Sequence, residues 1–341
     1  MSKISFYDSH GKLSYNPNTE KNVGVGGAEK TLINVSRELV KRGHEVTVYV
    51  NCNFPNFYDG VKYIKYQDYK PNNEDVLVGF ENFPTEQNAK MLVNWSNRFT
   101  VDDVLKYKNV DRIIVVSPWH RDYYASVLGN GNQELVNKLR LVNLGVSENF
   151  YNDKTEKQEF NITYAGSPAK GGMVPLIGIY ERLKEEYPQV KIHVYGGGAL
   201  WGWDDEQYRQ VYDRLLKSGV LYHGQIGSLD MAKRLNQAEI FLYPVGSHHK
   251  ETFCLVALEA MASGCIVIGN ESGNLKNLVK DNGYIIDGDI NNYLWQMDVA
   301  EKIKSLYKDR KLLNYMGRKS REYAKKFTWE QTAIDFENAL L

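Results

Sequence analysis

The sequence predicts an α/β protein built from two doubly wound, mostly parallel sheets. Three observations carry this. Short, nearly continuous apolar runs alternate with helix-like stretches, as expected of parallel strands buried on both faces. The alternation runs through once, breaks at a polar stretch, and starts again. The 341 residues are too many for one ordinary core and sufficient for two.

The first series of strands is read at 4–7, 46–50, 61–66, 76–79, 91–93 and 112–116. Between the first two lies an amphipathic helix. Leu32, Ile33, Leu39 and Val40 fall near one stripe, and Gly43 ends it. Residues 145–158 are polar and irregular and read as a linker. The second series runs 161–164, 191–195, 220–222, 240–243, 266–268 and 284–286, with helices at 174–186, 205–217, 229–237 and 255–263. Helices at 295–307, 310–326 and 328–341 close the chain. The expected domains are 1–150 and 151–325, with a terminal helix at 326–341 that braces the first.

Lys plus Arg and Asp plus Glu both number 42, so no strongly basic surface for nucleic acid is indicated. Cys52, Cys254 and Cys265 have no metal-ligand spacing and suit a reducing compartment. No signal-peptide pattern opens the chain, and no apolar run reaches the ~18 residues of a membrane span. The expectation is a cytoplasmic protein for which membrane association is not indicated.

Three segments could carry chemistry. Gly24-Val25-Gly26-Gly27-Ala28-Glu29 opens the first amphipathic helix, where glycines and free N–H groups suit an anion. A dinucleotide fingerprint would sit directly after the strand, with an acid after the next one. Here the strand ends near Tyr7 and the next is followed by Asn51-Cys52-Asn53, so nicotinamide or flavin is disfavoured. Read alone, the segment is also compatible with a plain turn. Gly166-Ser167-Pro168-Ala169-Lys170-Gly171-Gly172 follows the first strand of the second series. Glycines, a hydroxyl and one Lys at a strand–loop–helix junction suit a pyrophosphate, or an ordinary turn with a solvated Lys. The third segment runs from Glu251 through Thr252, Phe253, Cys254, Leu255 and Val256 to Glu259. Glu259 lies in an apolar helix, where a carboxylate is costly without a partner such as a ribose diol. A capping Glu251 and a solvent-facing Glu259 remain the plain alternative.

Taken together, these segments resemble the paired-glutamate signature of retaining GT-B glycosyltransferases, in particular glycosyltransferase family 4. His223-Gly224-Gln225-Ile226 and 238–244 are similar to the same family, and the resemblance runs along nearly the whole chain in order. It implies two Rossmann-like domains facing a central cleft and a hexosyltransferase-type enzyme using a UDP- or GDP-sugar. The acceptor would be a hydroxyl of a glycan or other glycoconjugate. Stereochemistry would be retained, with no metal and no cofactor beyond the donor.

By the same resemblance, Glu251 and Lys170 are catalytic. Gly26, Gly27, Gly166, Ser167, Lys170, Cys254, Leu255 and Val256 hold the diphosphate. Glu259 binds the ribose, and Gly224, Gln225 and Ile226 meet the base. Glu81, Ser96, Asn97, Thr252 and Phe253 lie toward the donor sugar or acceptor. Two departures stand out. Ser167 replaces the basic residue common after the loop glycine, and residues 91–98 lack the family's first-domain histidine. Asp287-Gly288-Asp289 matches a metal-binding DxD but falls where a turn is expected, and His248-His249 are adjacent, which disfavours joint ligation of one metal. Other functions compatible with the pattern are a nucleotide-sugar epimerase or oxidoreductase, which would carry nicotinamide, and a non-catalytic nucleotide-sugar-binding protein.

Overall fold

The computed structural model describes residues 1–53, 55–152 and 154–341. Two compact units result. One comprises residues 1–20, 25–145 and 327–341, the other residues 21–24 and 146–326.

The first unit contains β1 (Lys3–Tyr7), β2 (Glu45–Val50), β3 (Asn56–Tyr58), β4 (Val61–Lys65), β5 (Val76–Phe80), β6 (Met91–Trp95), β7 (Arg112–Val115) and β8 (Leu139–Leu141). They form one sheet in the order β3-β4-β2-β1-β5-β6-β7-β8. Every pairing is parallel except β3 with β4. Ile4, Phe6, Val48, Val78, Val93 and Ile114 are fully buried, as strands covered on both faces require. The β3–β4 hairpin was not read from the sequence because Asn56-Phe57-Tyr58 is short and exposed. Its signal was the Asp59-Gly60 turn. Both residues have positive φ, 51° and 81°, which is the geometry that twists a two-residue hairpin correctly.

The chain returns to this unit at its end. Helix Trp329–Leu340 starts at Thr328, whose side chain accepts a hydrogen bond from the Gln331 N–H at 3.1 Å. Its Phe336 stacks on Trp95 at 5.5 Å and lies 6.1 Å from Phe6. Glu337 accepts from Arg42 and from His44, the latter at 2.8 Å.

The second unit holds β9 (Asn161–Ala165), β10 (Lys191–Tyr195), β11 (Leu221–Tyr222), β12 (Ile240–Tyr243), β13 (Ile266–Gly269) and β14 (Gly283–Ile285). The order is β11-β10-β9-β12-β13-β14, all parallel. The segment that reads as a linker is anchored to the second unit. Val146 and Phe150 are buried, and the Lys157 amine donates to the carbonyls of Leu235, Ala238 and Ser263 at 3.2, 2.5 and 2.7 Å. The amine thus meets the carbonyl ends of helices Ser228–Gln237 and Leu255–Ala262, where a cation is favoured. The helix expected at 205–217 is a 3-10 turn, Asp205–Tyr208, followed by helix Arg209–Ser218. Among the described residues, no helix is long and apolar enough to cross a membrane.

Candidate active site

In the second unit the chain moves outward from β9 in one direction, then resumes at β12 on the other side. The loops after these two strands therefore diverge, and the crevice between them is where open α/β sheets bind ligands.

The loop after β9 is a tight turn. Ser167 accepts a hydrogen bond from the Ala169 N–H at 3.2 Å and so caps the short 3-10 helix Pro168–Lys170. Gly171 follows with φ +74°. Gly166 lies against Gly196, where a Cβ would stand 2.3 Å from the Gly166 carbonyl, so a side chain at 196 would displace the turn. The loop after β12 is fastened to it. The Gly246 N–H donates to the Lys170 carbonyl at 2.7 Å, and the His248 ring Nε2 donates to the Ala169 carbonyl at 2.8 Å. Asn270 bonds both the N–H and the carbonyl of Val245 at 2.8 Å. Asn274 holds the Glu251 carbonyl through its N–H at 2.7 Å and the Phe253 carbonyl through its side chain at 3.1 Å.

This framework brings Lys170 and Glu251 into contact. The Lys170 amine is 2.6 Å from Glu251 Oε1 and donates to the Tyr243 hydroxyl at 3.0 Å. That hydroxyl donates to the same Glu251 oxygen at 2.9 Å. His249 Nε2 lies 3.5 Å from it. Burial alone would raise the Glu251 carboxyl, but Lys170 and His249 outweigh it and hold the group well below the ordinary carboxylate range. The sequence separates these two residues by 81 positions, so their pairing was not legible. Nor was the hydroxyl of Tyr243, which reads as one more apolar strand residue.

Helix Leu255–Ala262 begins directly after this cluster. Its N-cap, Cys254, is buried and left-handed at φ 74° and ψ 61°. A non-glycine residue there costs about 1–2 kcal/mol, and such strain is typical where a loop must aim groups at a ligand. Burial, then the Glu251 charge, push the Cys254 thiol well above its usual value, so it is no nucleophile. The first N–H groups of the helix, at Leu255 and Val256, have no intrahelical acceptor and stand at its positive end. Glu259 lies in its second turn, 4% exposed. Thr252 is half-buried and Phe253 is buried.

At the expected base-binding turn, Gly224 has φ +69° with open space around its missing Cβ, and its carbonyl accepts from the Gly196 N–H at 2.8 Å. Ile226 is half-buried. Gln225 is half-buried, and its Oε1 is enclosed with no hydrogen-bond partner.

The first unit has its own switch point, between β1 and β5. Gly26 caps helix Gly27–Lys41, and a Cβ on Gly27 would meet nothing within 4 Å, so its freedom is not dictated by packing. Asp8 accepts from the buried Tyr15 hydroxyl at 2.8 Å. Glu81, left-handed at φ 65°, is paired with Arg98. Ser96 is fully buried, and its hydroxyl meets that of Tyr124 at 2.7 Å, so it is spent inside the core. Asn97 is half-buried. Asp289 accepts from the Asn291 N–H at 3.0 Å, which makes 287–289 part of a turn leading into helix Tyr293–Lys308. Among the described residues, no group of three or more His, Cys, Asp or Glu is placed to hold a metal ion.

Burial, then the Asp8 charge, push the Glu29 carboxyl up to about 7 from 4.5. A raised carboxyl binds its proton more tightly when folded, so stability falls as pH rises from 4.5 to 7 and stays lowered above that. Glu29→Gln is therefore expected to stabilise the protein at pH 8 by roughly 1–3 kcal/mol and to be neutral near pH 4. Urea unfolding at the two pH values checks this. An equal effect at both would mean that packing, not ionisation, is responsible.

Comparison with known proteins identifies the family and the fold. Residues 148–323 match the family model described as Glycosyl transferases group 1, and the chain belongs to that family. Its fold is GT-B. Sucrose-phosphate synthase from Thermosynechococcus elongatus superposes with a TM-score of 0.75 at 18% identity, covering 99% of this chain and 98% of that one. Anabaena Alr3699/HepE, solved in complex with UDP-glucose, gives 0.70 at 15% identity, covering 100% and 99%.

Curated relatives include the sulfoquinovosyl transferase SQD2 of Arabidopsis thaliana, 24% identical over 59% of this chain and 39% of that one. A D-inositol 3-phosphate glycosyltransferase of Arthrobacter sp. is 28% identical over 51% and 41%. The lipopolysaccharide 1,2-N-acetylglucosaminetransferase of Salmonella typhimurium is 27% identical over 74% and 67%. The matches thus span about two fifths of the length of the first two relatives.

Proposed function

We propose that this chain is a cytoplasmic, retaining, metal-independent transferase that moves a sugar from a UDP- or GDP-sugar to a hydroxyl of a glycan or other glycoconjugate. The observation that carries the reading is the Lys170–Glu251 pair at the switch point of the second sheet, beside the N-terminus of the helix that bears Glu259. The HepE complex with UDP-glucose supports the donor class by analogy of fold.

In this reading Lys170 turns from Glu251 to the diphosphate and neutralises the charge that develops as it leaves, the part a divalent metal plays elsewhere. The N–H groups of Leu255 and Val256 add the positive end of a helix. Glu259 accepts hydrogen bonds from the ribose hydroxyls, and Gln225 Oε1 accepts from an N–H of the base. Glu251, kept anionic, takes hydroxyl protons of the donor sugar into hydrogen bonds. The anomeric C–O bond to the diphosphate breaks while the acceptor oxygen bonds to the same face. The acceptor proton passes to the departing phosphate.

A thermal-shift panel of UDP, GDP and their sugars, with EDTA or with magnesium or manganese, tests this. Stabilisation by one nucleotide series in EDTA is expected. A shift with NAD(P) alone, or one that requires metal, would contradict it.

A further inference from the structure

We propose that Tyr243 is the positioning residue that keeps Glu251 oriented as an anion once Lys170 turns toward the diphosphate of the donor. This role rests on the transfer reading above.

The directions of the hydrogen bonds are fixed by chemistry. A lysine ammonium only donates, so the Tyr243 oxygen accepts from Lys170 at 3.0 Å and its single proton points to Glu251 Oε1 at 2.9 Å. The cluster is therefore a relay with a defined polarity. Lys170 is its mobile member, half-buried on a long flexible stem at the end of a 3-10 turn. Tyr243 is its fixed member. It is fully buried at the end of β12, with its ring stacked 5.8 Å from Tyr164 and 5.4 Å from Phe241.

When phosphate takes the lysine, Glu251 loses its nearest cation but stays in a buried site. A carboxylate there needs a donor that does not move. The Tyr243 hydroxyl is that donor. With its oxygen relieved of Lys170, it keeps its proton on Glu251 and fixes which oxygen faces the sugar. His249, at 3.5 Å and nearly a third exposed, is a weaker second partner.

Tyr164 provides an internal control. Its hydroxyl is buried on the neighbouring strand, in a ring stacked on Tyr243, and has no hydrogen-bond partner. Calorimetric titration compares UDP with UDP-glucose, and GDP with GDP-mannose, for wild type, Tyr243→Phe and Tyr164→Phe between pH 5 and 8. For the nucleotide that binds, wild type is expected to hold the sugar form more tightly than the bare diphosphate across the whole range.

Tyr243→Phe is expected to lose about tenfold of that sugar advantage, most strongly toward pH 5, while affinity for the bare diphosphate changes less than about threefold. Tyr164→Phe is expected to match wild type. A Tyr243→Phe protein with the wild-type sugar advantage and pH profile overturns this role and leaves the transfer reading intact. Equal losses in both variants assign the effect to packing and also overturn it. A wild type that binds none of the four compounds overturns the transfer reading and this role together.

Discussion

Lys170→Met is expected to abolish transfer and to destabilise the protein in the same step. Removing the lysine strands the Glu251 carboxylate, which is only 7% exposed, with the Tyr243 hydroxyl and a longer contact to His249. Breaking a buried pair from one side typically costs about 3–5 kcal/mol, because the surviving charge is left uncompensated. Loss of the cation at the leaving group is expected to cost a further 10²–10³-fold in turnover, the range seen for removing one electrostatic stabiliser.

The two effects separate in Lys170→Met/Glu251→Gln. That protein buries no unpaired charge, and its stability is expected to return to within about 1 kcal/mol of wild type while transfer stays lost. The pH dependence has a definite sign. Because Glu251 is held below its ordinary value of 4.5, its pairing stabilises the fold above that pH and is lost on acidification. The double variant should lack this part of the acid sensitivity. Urea unfolding at steps from pH 7 down to pH 2 and single-turnover rates check all three statements. A double variant that regains activity would remove Lys170 from the reaction.

Glu259→Ala is expected to fold and to bind the donor at least 100-fold more weakly. Hydrogen bonds to an ionised acceptor are worth about 1.5–3 kcal/mol each, and a ribose diol offers two. Alanine is the strongest helix former, so the helix itself is expected to survive the change. The deficit should appear equally with the nucleoside diphosphate and with the sugar nucleotide, because the ribose is common to both. A loss confined to the sugar nucleotide would move Glu259 from the ribose to the sugar.

Much of this was legible in the sequence, for identifiable reasons. The central parallel strands announce themselves because both faces are buried, so β12 and β13 are apolar throughout, while β9 and β10 keep an apolar majority among polar residues. Glu259 stands out because a carboxylate breaks an apolar helix. What could not be read depends on contacts between distant positions. The Lys170–Glu251–Tyr243 cluster joins three loop and strand ends, and nothing local marks Tyr243 as polar in function. Cys254 gives no sign of its left-handed backbone, because the residue type most at home there is glycine. The family resemblance sets Ser96, with Asn97, toward the donor sugar or acceptor. The structure turns Ser96 inward, because Tyr124 on the covering helix supplies a buried partner.

The most direct test of the central claim, that the Lys170–Glu251 junction holds a nucleoside-diphosphate sugar, is a calorimetric titration in EDTA. UDP-glucose and GDP-mannose are titrated into wild type and into Lys170→Met/Glu251→Gln. Saturable one-to-one binding of one of them by wild type, at least 100-fold weakened in the folded double variant, is the predicted result. Binding by neither wild type nor variant, or equal binding by both, would contradict it.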